Sequence, residues 1–245
     1  MDLSIRLLDG RRLSYAEYGV ASGSPMLFFH GAPGSRHIHA DIADIAMRRG
    51  IRLIALERPG YGLSDPKPGR TILDWPDDIA ALMSTLGIER FSIIGFSMGS
   101  IYALACAYRL NGLVTKIALI GALAPLNVPG MMEGMSPAVS GLYALAQADP
   151  DELTNAFVSV APTPAALIKA MSASATACDK HVIHARHSEF EIEYTQTLRS
   201  GVDGVASDFV LASKDWCFSL DGIDTETQLW CGTDDCNSPP AMTDY

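Results

Sequence analysis

Four short apolar runs punctuate the first half of this chain: Met26-Leu27-Phe28-Phe29, Leu53-Ile54-Ala55-Leu56, Phe91-Ser92-Ile93-Ile94 and Ile117-Ala118-Leu119-Ile120. Runs this short and this apolar fit strands buried on both faces. Between them lie segments with helical spacing, at residues 38–49, 72–86 and 98–110; in the second, Ile79, Leu82, Met83 and Leu86 share one face and Gly87 follows as a stop. Short strands that alternate with amphipathic helices can be joined as crossovers, which make neighbouring strands parallel. The pattern therefore predicts an α/β fold: a mostly parallel central sheet with helices on both faces. A hairpin precedes it, with Ile5-Arg6-Leu7 and Leu13-Ser14-Tyr15 flanking the turn dipeptide Asp9-Gly10.

The alternation stops after Leu123. Residues 124–212 are rich in Ala, Met, Pro and Ser and contain no strand-like run. They read as a helical cap inserted into the fold, with residues 1–123 and 213–245 forming the core. Thr227-Gln228-Leu229-Trp230 resumes the sheet.

Composition narrows the partners. Hydrophobic residues make up 48% of the 245 and charged residues 19%, enough for a large core. The net charge of −10 repels phosphate backbones and anionic lipid, so neither nucleic acid nor a membrane is expected as partner. No apolar stretch reaches the ~18 residues of a membrane span, and the N-terminus lacks the pattern of a secretory signal. The five cysteines are odd in number and irregular in spacing, which fits a reduced, cytoplasmic chain.

The chemistry concentrates at Gly95-Phe96-Ser97-Met98-Gly99, between a strand and a helix. A serine on so sharp a turn needs small neighbours, and the turn lifts its hydroxyl above the sheet. The helix that follows points its positive end and the Met98 N–H at the same place.

In order along the chain stand His30-Gly31-Ala32-Pro33-Gly34, Glu57-Arg58-Pro59-Gly60-Tyr61-Gly62-Leu63-Ser64, the Ser97 pentapeptide, and Trp230-Cys231-Gly232-Thr233-Asp234-Asp235. With these the chain resembles the α/β-hydrolase superfamily in its cap-bearing bacterial branch. The resemblance implies Ser97 as nucleophile and the N–H groups of Ala32 and Met98 as oxyanion hole. It implies Asp235 as the acid, with Asp234 the competing acid, and His30 as a structural residue. It also implies a histidine after the acid, beyond one more strand. The sequence ends ten residues past Asp235, and none of the ten is histidine. The expectation is an α/β-hydrolase core without its last strand and helix, and with the catalytic histidine absent.

The implied activity is that of an esterase-like serine hydrolase acting on a small-molecule acyl substrate, with no metal or organic cofactor. The Met- and Ala-rich cap (Met131, Met132, Met135, Leu142, Leu145) suggests an apolar pocket, although the same residues would simply pack a helical cap. His181, His184 and His187, with Glu191, offer a possible metal cluster on one helix face, although a plain polar surface accounts for them as well. The competing reading is a catalytically inactive protein that binds a small molecule on a hydrolase scaffold. A homodimer is the commonest assembly for such a chain.

Overall fold

The computed structural model describes residues 2–245. β1 (Leu3–Arg6) and β2 (Arg12–Gly19) form the hairpin, and Gly10 supplies its positive φ of 85°. There follow β3 (Ser24–Phe29), α1 (Ala40–Arg48), β4 (Ile51–Leu56), α2 (Trp75–Leu86), β5 (Phe91–Phe96), α3 (Gly99–Arg109) and β6 (Val114–Ile120). β7 (Thr227–Trp230) closes a seven-stranded sheet in the order β1-β2-β4-β3-β5-β6-β7. The two hairpin strands run antiparallel, and β4, β3, β5, β6 and β7 are mutually parallel.

Between β6 and β7 lie α4 (Pro137–Ala148), α5 (Pro150–Val160), α6 (Pro164–Ser174), α7 (Ala177–Ala185), α8 (His187–Thr197) and α9 (Asp203–Ala212). Three of the six prolines of this segment are helix starts. Pro137, Pro150 and Pro164 each open a helix, where the missing N–H costs nothing. Ser136, Asp149 and Thr163 just before them cap the N-termini, accepting from Val139, Glu152 and Ala166 at 3.4, 3.0 and 3.2 Å. Among the described residues no single helix is long and apolar enough to cross a membrane.

The helices cover the two faces of the sheet unequally. Leu27, Phe29, Ile54, Leu56, Ile93, Ile117 and Leu119 share one face and are almost wholly buried. Trp75 of α2 meets Phe29 edge-on at 5.5 Å, and Ala103 of α3 lies against Gly95, so both helices lie on this side. On the opposite face Leu53 and Ala55 are buried, in the region where α1 packs on β2 and β4. Toward β7 the cover ends. Phe96, Ile120 and Trp230 stand in register at the strand ends and are 45%, 39% and 62% exposed. Strands expected to be buried on both faces are therefore buried on one only at this side of the sheet. The apolar runs look the same either way, because sequence records what a strand carries and not what lies over it.

This asymmetry has an optical consequence. Trp75 and Trp216 are buried at 2% and 3% exposure, while Trp230 is open. Acrylamide should quench one accessible component of the tryptophan emission, and Trp230→Phe should remove it. Emission wholly protected from acrylamide would mean that the β7 end is covered in solution.

Candidate active site

β5 delivers Ser97 to the C-terminal edge of the sheet. The chain turns there with Ser97 at φ 50°, a left-handed conformation that few non-glycine residues adopt. The Ser97 N–H donates to the carbonyl of Ile120 at 2.8 Å, which ties the turn to β6. The two flanking glycines are required by space. A Cβ on Gly99 would lie 2.1 Å from the carbonyl oxygen of Phe29, and one on Gly95 would lie 2.9 Å from Cβ of Ala103. α3 starts at Gly99, so its positive end faces the turn. Ser97 itself is half-buried and Met98 is 2% exposed.

The loop after β3 runs beside this turn. A Cβ on Gly31 would come within 3.4 Å of Cβ of Ser97. Among the described residues, no protein carbonyl accepts from the N–H of Ala32 or of Met98. Both sequence-expected oxyanion donors are thus free beside the serine.

His30 is 1% exposed, and its two ring nitrogens are both engaged. Nδ1 lies 2.7 Å from the Gly31 carbonyl, and the Arg58 N–H donates to Nε2 at 3.4 Å. A carbonyl can only accept, so Nδ1 carries the proton and Nε2 is the acceptor. Burial, and then the charge of Arg58, push the imidazole pKa well below its ordinary value. His30 is a neutral strut, as the sequence expected, with no nitrogen left to serve Ser97 as base.

Arg58 is fully buried and grips the same loop. Nη1 donates to the His30 carbonyl at 2.5 Å and Nη2 to the Gly31 carbonyl at 2.8 Å. Its Nε donates to Asp208 at 2.7 Å. Asp208, on α9, is a residue that sequence reasoning missed. It accepts from Arg58 Nε and Tyr61 Oη (2.7 Å each) on one oxygen, and from Arg70 (2.5 Å) and Tyr102 Oη (2.6 Å) on the other. Burial alone would raise its pKa, but the charges of Arg58 and Arg70 outweigh that and hold the carboxyl well below the ordinary range.

The acids lie two strands from Ser97. Asp235 is half-buried, and a Cβ on Gly121, at the end of β6, would be 3.3 Å from its Oδ2. Its Oδ1 accepts from the N–H groups of Asn237 and Ser238 at 2.9 Å each, which fixes the side chain. Asp234 is exposed to solvent. Residues 240–243 form one 3₁₀ turn, where the sequence reads as the start of a helix.

The remaining histidines are placed differently from the sequence reading. α7 ends at Ala185 and α8 starts at His187, so His181, His184 and His187 do not lie along one helix, and all three are exposed. The ligand-type cluster lies elsewhere: His39, Asp41 and Glu189 bring one atom each within 4.8 Å. Arg186 already occupies that group, bidentate on Asp41 at 2.9 and 2.7 Å. Of the two roles that the sequence left open for the methionines of the inserted segment, they take packing. Met131, Met132, Met135, Leu142 and Leu145 pack against the main core, whereas the apolar hollow beside the loop is lined by Pro33, Phe157, Leu167, Val202 and Val205.

The comparisons with known proteins match this architecture. The family model for the alpha/beta hydrolase fold matches residues 24–155. An AB hydrolase superfamily protein of Bacillus subtilis, YisY, is 34% identical over 120 residues, which is 47% of this chain and 45% of that protein. A non-heme chloroperoxidase of Streptomyces lividans is 32% identical over 122 residues, 49% of this chain and 44% of its own length. The chain spans about half the length of the curated relatives it matches. A thermophilic esterase from Thermogutta terrifontis superimposes with a TM-score of 0.71 at 22% identity, over 100% of this chain and 84% of the esterase. With the family model covering more than half of its residues, the chain belongs to the α/β-hydrolase fold family.

Proposed function

We propose that this chain is a serine hydrolase of a small ester or related acyl compound, with Ser97 as nucleophile. The observation that carries the reading is the Ser97 turn: a serine held at φ 50°, beside two N–H groups that no protein carbonyl takes. Ser97 Oγ attacks the acyl carbon as a base removes its proton. The carbonyl oxygen becomes an oxyanion and accepts hydrogen bonds from Ala32 and Met98. The alcohol leaves with that proton, and water then releases the acid from the acyl-serine. Asp235 is the acid that orients the base; its fixed side chain at the β6 end favours it over the exposed Asp234.

The base is the open position. Of the six histidines, His30 is locked, His37 is half-buried in the loop before α1 with its backbone N–H on Ser35 Oγ at 3.1 Å, His39 faces Glu189 and Glu193, and His181, His184 and His187 are exposed on α7 and α8. That observation favours a second reading, a binding protein on the same scaffold. Added imidazole separates the two. Hydrolysis of a short-chain p-nitrophenyl ester by the 245-residue protein should rise with imidazole beyond the rate in solution. Ser97→Ala should abolish that excess, because imidazole then has no serine hydroxyl to deprotonate. A folded protein that binds the ester but shows no Ser97-dependent turnover at any imidazole concentration is a binding protein.

A further inference from the structure

The peptide that carries the Ala32 N–H has its other end in the core. Its carbonyl, Gly31 O, accepts from Arg58 Nη2 at 2.8 Å and from His30 Nδ1 at 2.7 Å. The neighbouring carbonyl, His30 O, accepts from Arg58 Nη1 at 2.5 Å. One guanidinium therefore holds two successive carbonyls of the loop.

The guanidinium itself has no freedom. Asp208 takes its Nε, and its Cζ lies over the rings of Tyr61 and Tyr102, 5.1 and 4.8 Å from their centroids. Arg70 shares the same carboxylate, so two buried arginines face one buried aspartate. The surplus positive charge has no second carboxylate in this network, and its dipolar partners are the tyrosine hydroxyls and the loop carbonyls.

We infer that Arg58, held by Asp208, is a positioning residue for the oxyanion hole: it fixes and polarises the Gly31–Ala32 peptide through Gly31 O, making the Ala32 N–H a stronger donor toward Ser97. Two consequences follow from the geometry. With its carbonyl pinned by two donors, the peptide plane, and with it the direction of the Ala32 N–H, is fixed. A charged donor on the carbonyl also withdraws density from the amide nitrogen, the cooperative effect known for chains of hydrogen bonds in low-dielectric surroundings. The inference rests on the hydrolase reading for its catalytic meaning, but the polarised amide is a property of the resting protein.

The variant to compare is Arg58→Lys, which keeps the charge but cannot grip both carbonyls and the carboxylate in one plane. Arg11→Lys is the control. Arg11 is also bidentate to a mostly buried acid, Asp78, at 3.0 and 2.7 Å, and it touches no part of the loop. Two readouts are taken on folded samples below both melting temperatures: the rate of Ser97 phosphonylation by a fluorophosphonate in the presence of imidazole, and the amide proton shift of Ala32. Arg58→Lys should slow phosphonylation about 10-fold, less than deletion of a whole donor, and should move the Ala32 signal upfield. Arg11→Lys should leave both unchanged even where its melting temperature falls as far. Equal slowing in the two variants, or an unmoved Ala32 signal in Arg58→Lys, would overturn the inference. A native chain that is not phosphonylated at all removes the hydrolase reading, and the Ala32 signal then decides the role of Arg58 alone.

Discussion

Asp208→Asn should destabilise the protein by about 3–5 kcal/mol, the usual result of leaving a buried charge unpaired. The reason is the arithmetic of charge at that point. The carboxylate is the acidic member of a network with two buried guanidiniums, and it receives four hydrogen bonds. Asparagine keeps the shape and loses the charge. Its NH₂ group also meets an arginine donor on whichever side it lies, so the bond to Arg58 or the bond to Arg70 is lost. Equilibrium unfolding in urea measures the loss.

The same carboxylate makes stability depend on acid. Its folded pKa lies below the unfolded value, so its contribution is fully present above the ordinary carboxyl range and is lost as pH falls through the folded value. Native protein should lose stability below that range more steeply than Asp208→Asn does. Parallel acid-unfolding curves for the two would show that Asp208 is not charged in the folded state.

Ser97→Gly should be the more stable and Ser97→Ala the less stable of two inactive variants. Ser97 pays for its left-handed φ of 50° with backbone strain, on the order of 1–2 kcal/mol for a residue bearing a Cβ. Alanine keeps the Cβ and so keeps the strain. Glycine removes it and gives back roughly 0.5–1 kcal/mol through the freer unfolded chain. The net preference for glycine is about 1 kcal/mol, or roughly 2–4 °C in melting temperature for a chain of this size. Both variants lose the hydroxyl proposed as the nucleophile, at a cost on the order of 10⁶-fold where a complete triad operates. Equal melting temperatures would mean that the turn is relaxed and that strain plays no part in presenting the hydroxyl.

Much of this was legible in the residues. The strands announced themselves because each apolar run is bounded by a glycine or a polar turn, and Gly95 and Gly99 mark a turn that the structure shows has no room for a Cβ. Asp208 was illegible for a simple reason. It sits in an Ala- and Val-rich helix, 150 residues from Arg58, and its partners come from three other parts of the chain. An isolated acid among apolar residues is the one signal that could have found it. The histidine spacing could not decide between a metal cluster and a polar surface, because it assumes a continuous helix; the helix breaks at Arg186, and the three side chains lie exposed. The open face near β7 could not be read either, since Ile120 and Trp230 are as apolar there as they would be in a core.

The measurement that bears most directly on the central claim is the intact mass of the 245-residue protein after exposure to a fluorophosphonate in the presence of imidazole, with Ser97→Ala alongside. A single phosphonyl adduct that maps to Ser97 and vanishes in the variant is the expected result. A folded native sample that gains no mass, or gains the same mass in Ser97→Ala, would contradict the assignment of Ser97 as the nucleophile.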